Sequence, residues 1–189
     1  FAALSLSACS SVSMPDFAAM LAGIDLPAMR WDARPEADEW TRATLVAVAA
    51  HDDVLASRVP ADIAAWCPNY KKATMMERRS FWAGVLSAVA KYESSFNPAA
   101  SGGGGRYIGL LQISPKSAAQ HDCTARSAKA LKDGAANLQC GVEIMANAVA
   151  SDGVVAGKGG QGVGRDWGPF SKAKYRNEMA AWTSKQSYC

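Results

Sequence analysis

A mainly α fold, with at most a minor hairpin, follows from three features of the sequence. Apolar residues recur at helical spacing through much of the chain, as at Phe81, Val85, Leu86 and Val89. Helix-start chemistry recurs as well: Thr74 with Glu77 three residues on reads as a capping box, and Ser114-Pro115 places a cap before proline at the first helical position. Strand-like alternation of β-branched residues is nearly absent, apart from one short hairpin expected through Arg106-Tyr107-Ile108.

Taken in order, residues 37–56 carry Trp40, Leu45, Val48 and Leu55 in a helical rhythm after Arg34-Pro35-Glu36. Residues 60–66 form a short turn of helix, stopped by Cys67-Pro68-Asn69. The central helix starts at Thr74 and runs to Glu93; Asn97-Pro98 then stops it, since a residue before proline is pushed out of the α region. Ser101 to Gly105 gives a pliable return, and residues 134–150 make another helix. Residues 171–185 make a terminal one, with Tyr175, Met179 and Trp182 on one side, a spacing that suggests packing. No internal repeat is present. With 189 residues, 49% of them hydrophobic, the chain can bury one core. One domain (60–189) is expected behind a partly helical N-terminal extension (10–59) and a leader remnant (1–9).

A formal charge of +3 helps approach to an acidic polymer but is too weak for nucleic acid, which is not expected as a partner. Gly157-Lys158-Gly159-Gly160-Gln161-Gly162 satisfies the dinucleotide pattern G-x-G-x-x-G. Only Val154-Val155 precede it and Trp167-Gly168-Pro169 interrupts any following helix, so it reads as a flexible loop. No C-x-x-C pair exists, and His51 and His121 lie far from metal spacing, so neither metal nor cofactor is expected.

Residues 1–10 are small, uncharged and end in L-S-A-C-S, which resembles the tail of a bacterial lipoprotein signal peptide. That resemblance implies lipid on Cys9 and a periplasmic protein anchored to the outer membrane, Ser10 being the residue type of lipoproteins sent onward there. The run is too short to span a bilayer. Cys67, Cys123, Cys140 and Cys189 remain, an even number suited to disulfides in an oxidising compartment. Of the possible connectivities, Cys123–Cys140 would bridge a short helix to the next one and Cys67–Cys189 would pin the C-terminus; each would add roughly 3 kcal/mol on a loop-entropy model.

Glu93 is the candidate for chemistry. Val89 lies at i−4 and Leu86 at i−7, so the carboxylate continues an apolar stripe. The loop resuming at Gly109-Leu110-Leu111-Gln112-Ile113 would cover it. A carboxyl so placed is partly desolvated, which raises its pKa toward the range a general acid needs.

The residues around it, Glu93-Ser94, Phe96-Asn97-Pro98, Ser101 and Gly109-Leu110-Leu111-Gln112-Ile113, resemble the signature of the soluble lytic murein transglycosylases. These goose-lysozyme-like glycosidases, known by their SLT domain, cut peptidoglycan. Asn137-Leu138-Gln139-Cys140-Gly141 resembles a further element of that family, and the likeness spans about residues 78–170. It implies a lysozyme-like helical domain, a monomer, and peptidoglycan glycan strands as substrate. It also implies Glu93 as the single acid/base, protonating the oxygen between N-acetylmuramic acid and N-acetylglucosamine and then closing a 1,6-anhydro ring. Ser94 and Ser101 would hold the Glu or the substrate's N-acetyl group, while Gln112 and Asn137 would brace the loop or bind sugar. The glycine run 102–105 replaces the family's usual S-x-x-G-A, and its later A-Y-N-x-G tyrosine has no clear counterpart. Trp167 occupies that region as either a cleft wall or a core residue, and Tyr175 is a weaker candidate for sugar contact. The alternatives are a hydrolytic lysozyme using Asp166 or Glu143 as a second acid, and a non-catalytic peptidoglycan-binding or secretion-system accessory lipoprotein.

Overall fold

The computed structural model describes residues 14–189, so Cys9, expected to carry lipid, and the rest of the expected leader remnant (1–9) lie outside the described residues. Helix α4 (Met75–Ser94) is the axis of the fold. Its start is fixed reciprocally: Thr74 Oγ1 accepts from the Glu77 N–H at 3.3 Å while Glu77 Oε2 accepts from the Thr74 N–H at 2.6 Å. Every residue from Ser80 to Ala90 is buried. A helix without a solvent face must be wrapped on all sides. At Gly84 the wrapping is close, since a Cβ there would stand 2.4 Å from the Tyr188 hydroxyl.

The other helices are α1 (Met14–Leu21), α2 (Ala37–Ala50), α3 (Ile63–Trp66), α5 (Pro115–Gln120), α6 (Gly134–Asp152) and α7 (Ala173–Thr183). Helix α2 packs on α6 and α4, and α7 packs on α4. Phe17, Leu21, Trp31, Trp40, Leu45, Val48 and Leu55 are all part of the same core, so residues 17–55 are integral to the domain rather than appended to it. Helix α2 stops at Ala50, six residues before the spacing predicts. The reason is tertiary: the Leu55 carbonyl accepts from Tyr70 Oη (2.7 Å) and Trp82 Nε1 (2.6 Å), two buried donors that need it turned out of a helix. Strand β1 (Ser101–Gly102) pairs antiparallel with β2 (Tyr107–Ile108) in the register Ser101–Ile108 and Gly102–Tyr107. The glycine run is therefore a closed hairpin turn, with Gly103, Gly104 and Gly105 all at positive φ.

Both expected disulfides form. Cys67–Cys189 ties the end of α3 to the segment after α7, and Cys123–Cys140 ties the segment after α5 to α6. The dinucleotide-like glycine loop is occupied from within. Asp62 accepts from the N–H groups of Val155 (2.6 Å), Ala156 (3.0 Å) and Gly157 (2.8 Å), so the anion its amides face is a carboxylate of this chain. Among the described residues no helix is long and apolar enough to cross a membrane, and no cluster of metal-ligating side chains exists.

Candidate active site

A cleft of about 640 Å³ lies where the last turn of α4, the hairpin and the start of α7 meet. Glu93 lines it, with Tyr107 and Gln112 from the hairpin side and Asp166, Trp167, Lys172 and Tyr175 from the other. Directly after Glu93 the chain breaks sharply from the helix, Ser95 and Phe96 both adopting positive φ (51° and 63°). Two successive L-residues in that region are costly, and such strain is held only where neighbours over-determine it. Among the described residues the Glu93 carboxyl has neither a hydrogen-bond partner nor an ion pair. Burial alone pushes its pKa up to about 7.

The covering loop is held by a set of buried hydrogen bonds. Gly109 turns it at φ +80°, and a Cβ there would stand 2.2 Å from the Leu131 carbonyl oxygen. Asn137, fully buried, accepts from the Leu111 N–H (2.9 Å) and donates to the carbonyls of Ile108 (3.0 Å) and Leu131 (2.9 Å). Ser94 Oγ donates to the Leu110 carbonyl at 2.9 Å, and Trp167 Nε1 to the Leu111 carbonyl at 2.9 Å. Gln112, itself at φ +50°, donates to the Gly109 carbonyl at 3.0 Å.

These partners sort the residues singled out in the sequence. Gln112, Trp167 and Tyr175 do line the cleft with Glu93. Trp167 is only 4% exposed, so it is both wall and core. Asn137 is sealed from solvent and braces the loop, so it binds no sugar. Ser94 spends its hydroxyl on the loop carbonyl, makes no hydrogen bond to the Glu93 carboxyl and does not line the cleft. Ser101 sits exposed on β1, outside the cleft lining, because the hairpin register turns it away. Glu143 lies apart from the cleft and pairs with His51 Nε2 at 3.0 Å, which removes it as a second acid. Asp166 does line the cleft, and its pKa is raised, chiefly by burial.

Sequence reasoning overlooked Tyr92, Tyr107 and Lys172, all in the lining. Tyr92 adjoins Glu93 in the chain, and that adjacency is its signal in the sequence. Tyr107 shows only as a large aromatic on a hairpin, 43% exposed.

Residues 71–167 match a family described as the transglycosylase SLT domain. A search of the curated proteins finds no match. Among solved structures, a glutamate-to-glutamine variant of Bd0314 DslA is 30% identical, with a TM-score of 0.76 over 87% of this chain and 98% of that one. A wild-type form of Bd0314 DslA is also 30% identical, with a TM-score of 0.76 over 86% and 98%. A second glutamate-to-glutamine variant is 28% identical, with a TM-score of 0.77 over 88% and 100%.

Proposed function

Because the chain belongs to the transglycosylase SLT domain family, we propose that it is a peptidoglycan lytic transglycosylase with Glu93 as its single acid/base. The observation that carries this reading is a partnerless carboxyl in a sugar-sized cleft, raised by burial to about 7. At that pKa it is partly protonated near neutrality and gives up its proton readily, the compromise acid catalysis favours. In this reading Glu93 protonates the glycosidic oxygen between N-acetylmuramic acid and N-acetylglucosamine. The substrate's own N-acetyl group shields the developing cation, as in glycosidases that dispense with a second carboxylate. Glu93, now a carboxylate, takes the proton of the muramyl 6-hydroxyl, and that oxygen closes the 1,6-anhydro ring. The walls of Trp167 and Tyr175 would pack on sugar C–H faces, and Gln112 supplies a polar contact at the rim. Mass spectrometry of glycan strands after digestion tests this: anhydro ends, one water below reducing ends, are expected, and reducing ends alone would sink it.

A second reading rests on Asp166. A cleft-lining carboxyl near Glu93 could position a water, which would make the enzyme hydrolytic. Asp166→Asn separates the two. The transglycosylase reading expects anhydro product to persist within a few-fold of the wild-type rate, whereas loss of roughly 10²-fold or more would favour hydrolysis.

The proposal extends to location. Two disulfides suit an oxidising compartment such as the periplasm, and lipid on Cys9 would tether the enzyme to the outer membrane. The full precursor is then expected to fractionate with membranes and the Cys9→Ser form to leave them. An intact mass from a membrane extract showing no acyl chain would end that part of the proposal.

A further inference from the structure

We propose that Tyr92 and Tyr175 form a saccharide-stacking subsite beside Glu93, and that the Arg30–Glu178 ion pair is the positioning device that sets its pitch. The subsite part rests on the glycan-cleaving reading above; the positioning part rests on geometry alone. The two rings lie 4.7 Å apart between centroids with planes at 35°, and both line the cleft next to Glu93. At that spacing each ring covers one face of the other, so the pair offers the cleft only its free outer face and edges, and the C–H face of a pyranose packs on such an apolar surface.

A tyrosine ring can swing about its side-chain torsions unless its hydroxyl is held. Here Tyr92 Oη donates to Glu178 Oε2 at 2.7 Å, so the phenol is drawn into α7. Glu178 is itself clamped: Arg30 Nη1 and Nη2 donate to its two oxygens at 2.7 and 2.5 Å, and Lys91 Nζ donates at 3.1 Å. Such a two-pronged guanidinium–carboxylate contact fixes direction as well as distance. Arg30 is pinned in turn. Its side chain is only 10% exposed, its backbone N–H donates to Ser87 Oγ at 3.2 Å, and its guanidinium sits 5.3 Å above the Trp182 ring. The Arg30 hydrogen bonds hold the Glu178 pKa down to about 2, so the acceptor for Tyr92 stays charged across the working range.

The chain order makes this informative. Tyr92 lies in the span matched by the family, whereas Arg30, Tyr175 and Glu178 lie outside residues 71–167. One wall of the cleft is thus lined by Tyr175 of α7 and backed, behind the lining, by Arg30 of the segment before α2, which meets α7 at Glu178. Differences in those two segments, rather than in the span holding Glu93, would tune which glycan the cleft accepts.

The test measures binding and turnover separately. Chitohexaose is titrated by calorimetry, and KM and kcat are measured on soluble glycan strands, for the wild type and for Tyr92→Phe, Glu178→Ala, Glu178→Gln and the Tyr92→Phe/Glu178→Ala pair. Loss of a charge-assisted hydrogen bond is expected to weaken chitohexaose binding and raise KM roughly tenfold, with kcat little changed. Glu178→Gln keeps an acceptor for the phenol and is expected to retain most of the affinity. The double variant is expected to be no worse than Glu178→Ala alone, since both remove the same contact. Wild-type binding by Glu178→Ala and Tyr92→Phe, or losses that simply add, would overturn the proposal. Should Glu178→Ala fold poorly, Tyr92→Phe and Glu178→Gln carry the test, and unchanged affinity in Tyr92→Phe alone overturns it. Binding that follows the expected pattern without any cleavage of peptidoglycan would support the subsite while overturning the transglycosylase reading.

Discussion

Replacing Glu93 with glutamine is expected to leave the fold intact and reduce glycan cleavage by roughly 10²–10⁴-fold. The amide occupies nearly the same volume but can neither donate a proton as an acid nor take one up as a base. The expectation is sharp because Glu93 has no partner to lose: no salt bridge, cap or buried hydrogen bond is disturbed among the described residues. Digestion of sacculi beside a thermal melt checks both halves. Near-wild-type turnover by a folded Gln variant would take Glu93 out of the mechanism.

The same substitution has a stability consequence with a definite sign. Burial raises the Glu93 pKa from 4.5 to about 7, so the folded state holds the proton more tightly than the unfolded chain. Relative to an unperturbed group, that stabilisation is fully present below about 4.5 and is lost as pH rises through 7. Above 7 the wild type carries a desolvated charge that the Gln variant lacks. At 1.36 kcal/mol per unit, discounted for partial exposure, the difference is on the order of 1–3 kcal/mol. Glu93→Gln is therefore expected to melt higher than wild type at pH 8 and with it at pH 4. Wild-type activity is expected to fall as pH rises past about 7, where the acid is lost. Identical melting curves at pH 8 would contradict the burial of the charged form.

What the sequence disclosed was what local chemistry determines. The Thr74–Glu77 capping box, the Ser114-Pro115 start and the stripe leading through Leu86 and Val89 to Glu93 are each contained within one element. Residues whose roles depend on distant partners were harder to place. Ser94 and Asn137 are polar residues near an acid, and only their partners, Leu110, Ile108, Leu111 and Leu131, reveal them as braces. Tyr175 keeps helical spacing to Met179, which suggested packing; the structure turns Met179 into the core and Tyr175 toward the cleft. The end of α2 is hidden in the sequence because Leu55 is apolar and well spaced, while the demand on its carbonyl comes from Tyr70 and Trp82. The Arg30–Glu178–Tyr92 network joins residues up to 148 positions apart, and no periodicity can signal that.

Asn137→Leu is expected to be the most damaging single change outside the acid itself. The side chain satisfies three backbone groups in a fully buried position, so a leucine of similar bulk leaves the Leu111 N–H and the Ile108 and Leu131 carbonyls without those partners. The cost is on the order of 3–5 kcal/mol, which for a chain of this size lowers Tm by roughly 6–20 °C. Asn137→Asp is a sharper probe, because it keeps the acceptor for the Leu111 N–H and replaces the amide donor with an oxygen facing two carbonyls. It is expected to destabilise as much as leucine does, unless the carboxyl is protonated, so its stability should recover at low pH. A functional effect follows from the same geometry. The loop that Asn137 braces carries Gln112 into the cleft beside Glu93, and loosening it admits water to the carboxyl. Any activity that survives in the folded fraction is then expected to lose its alkaline limb at lower pH than wild type, as the Glu93 pKa relaxes from about 7 toward 4.5. Wild-type melting and an unmoved pH profile in Asn137→Leu would show that the loop stands without its brace.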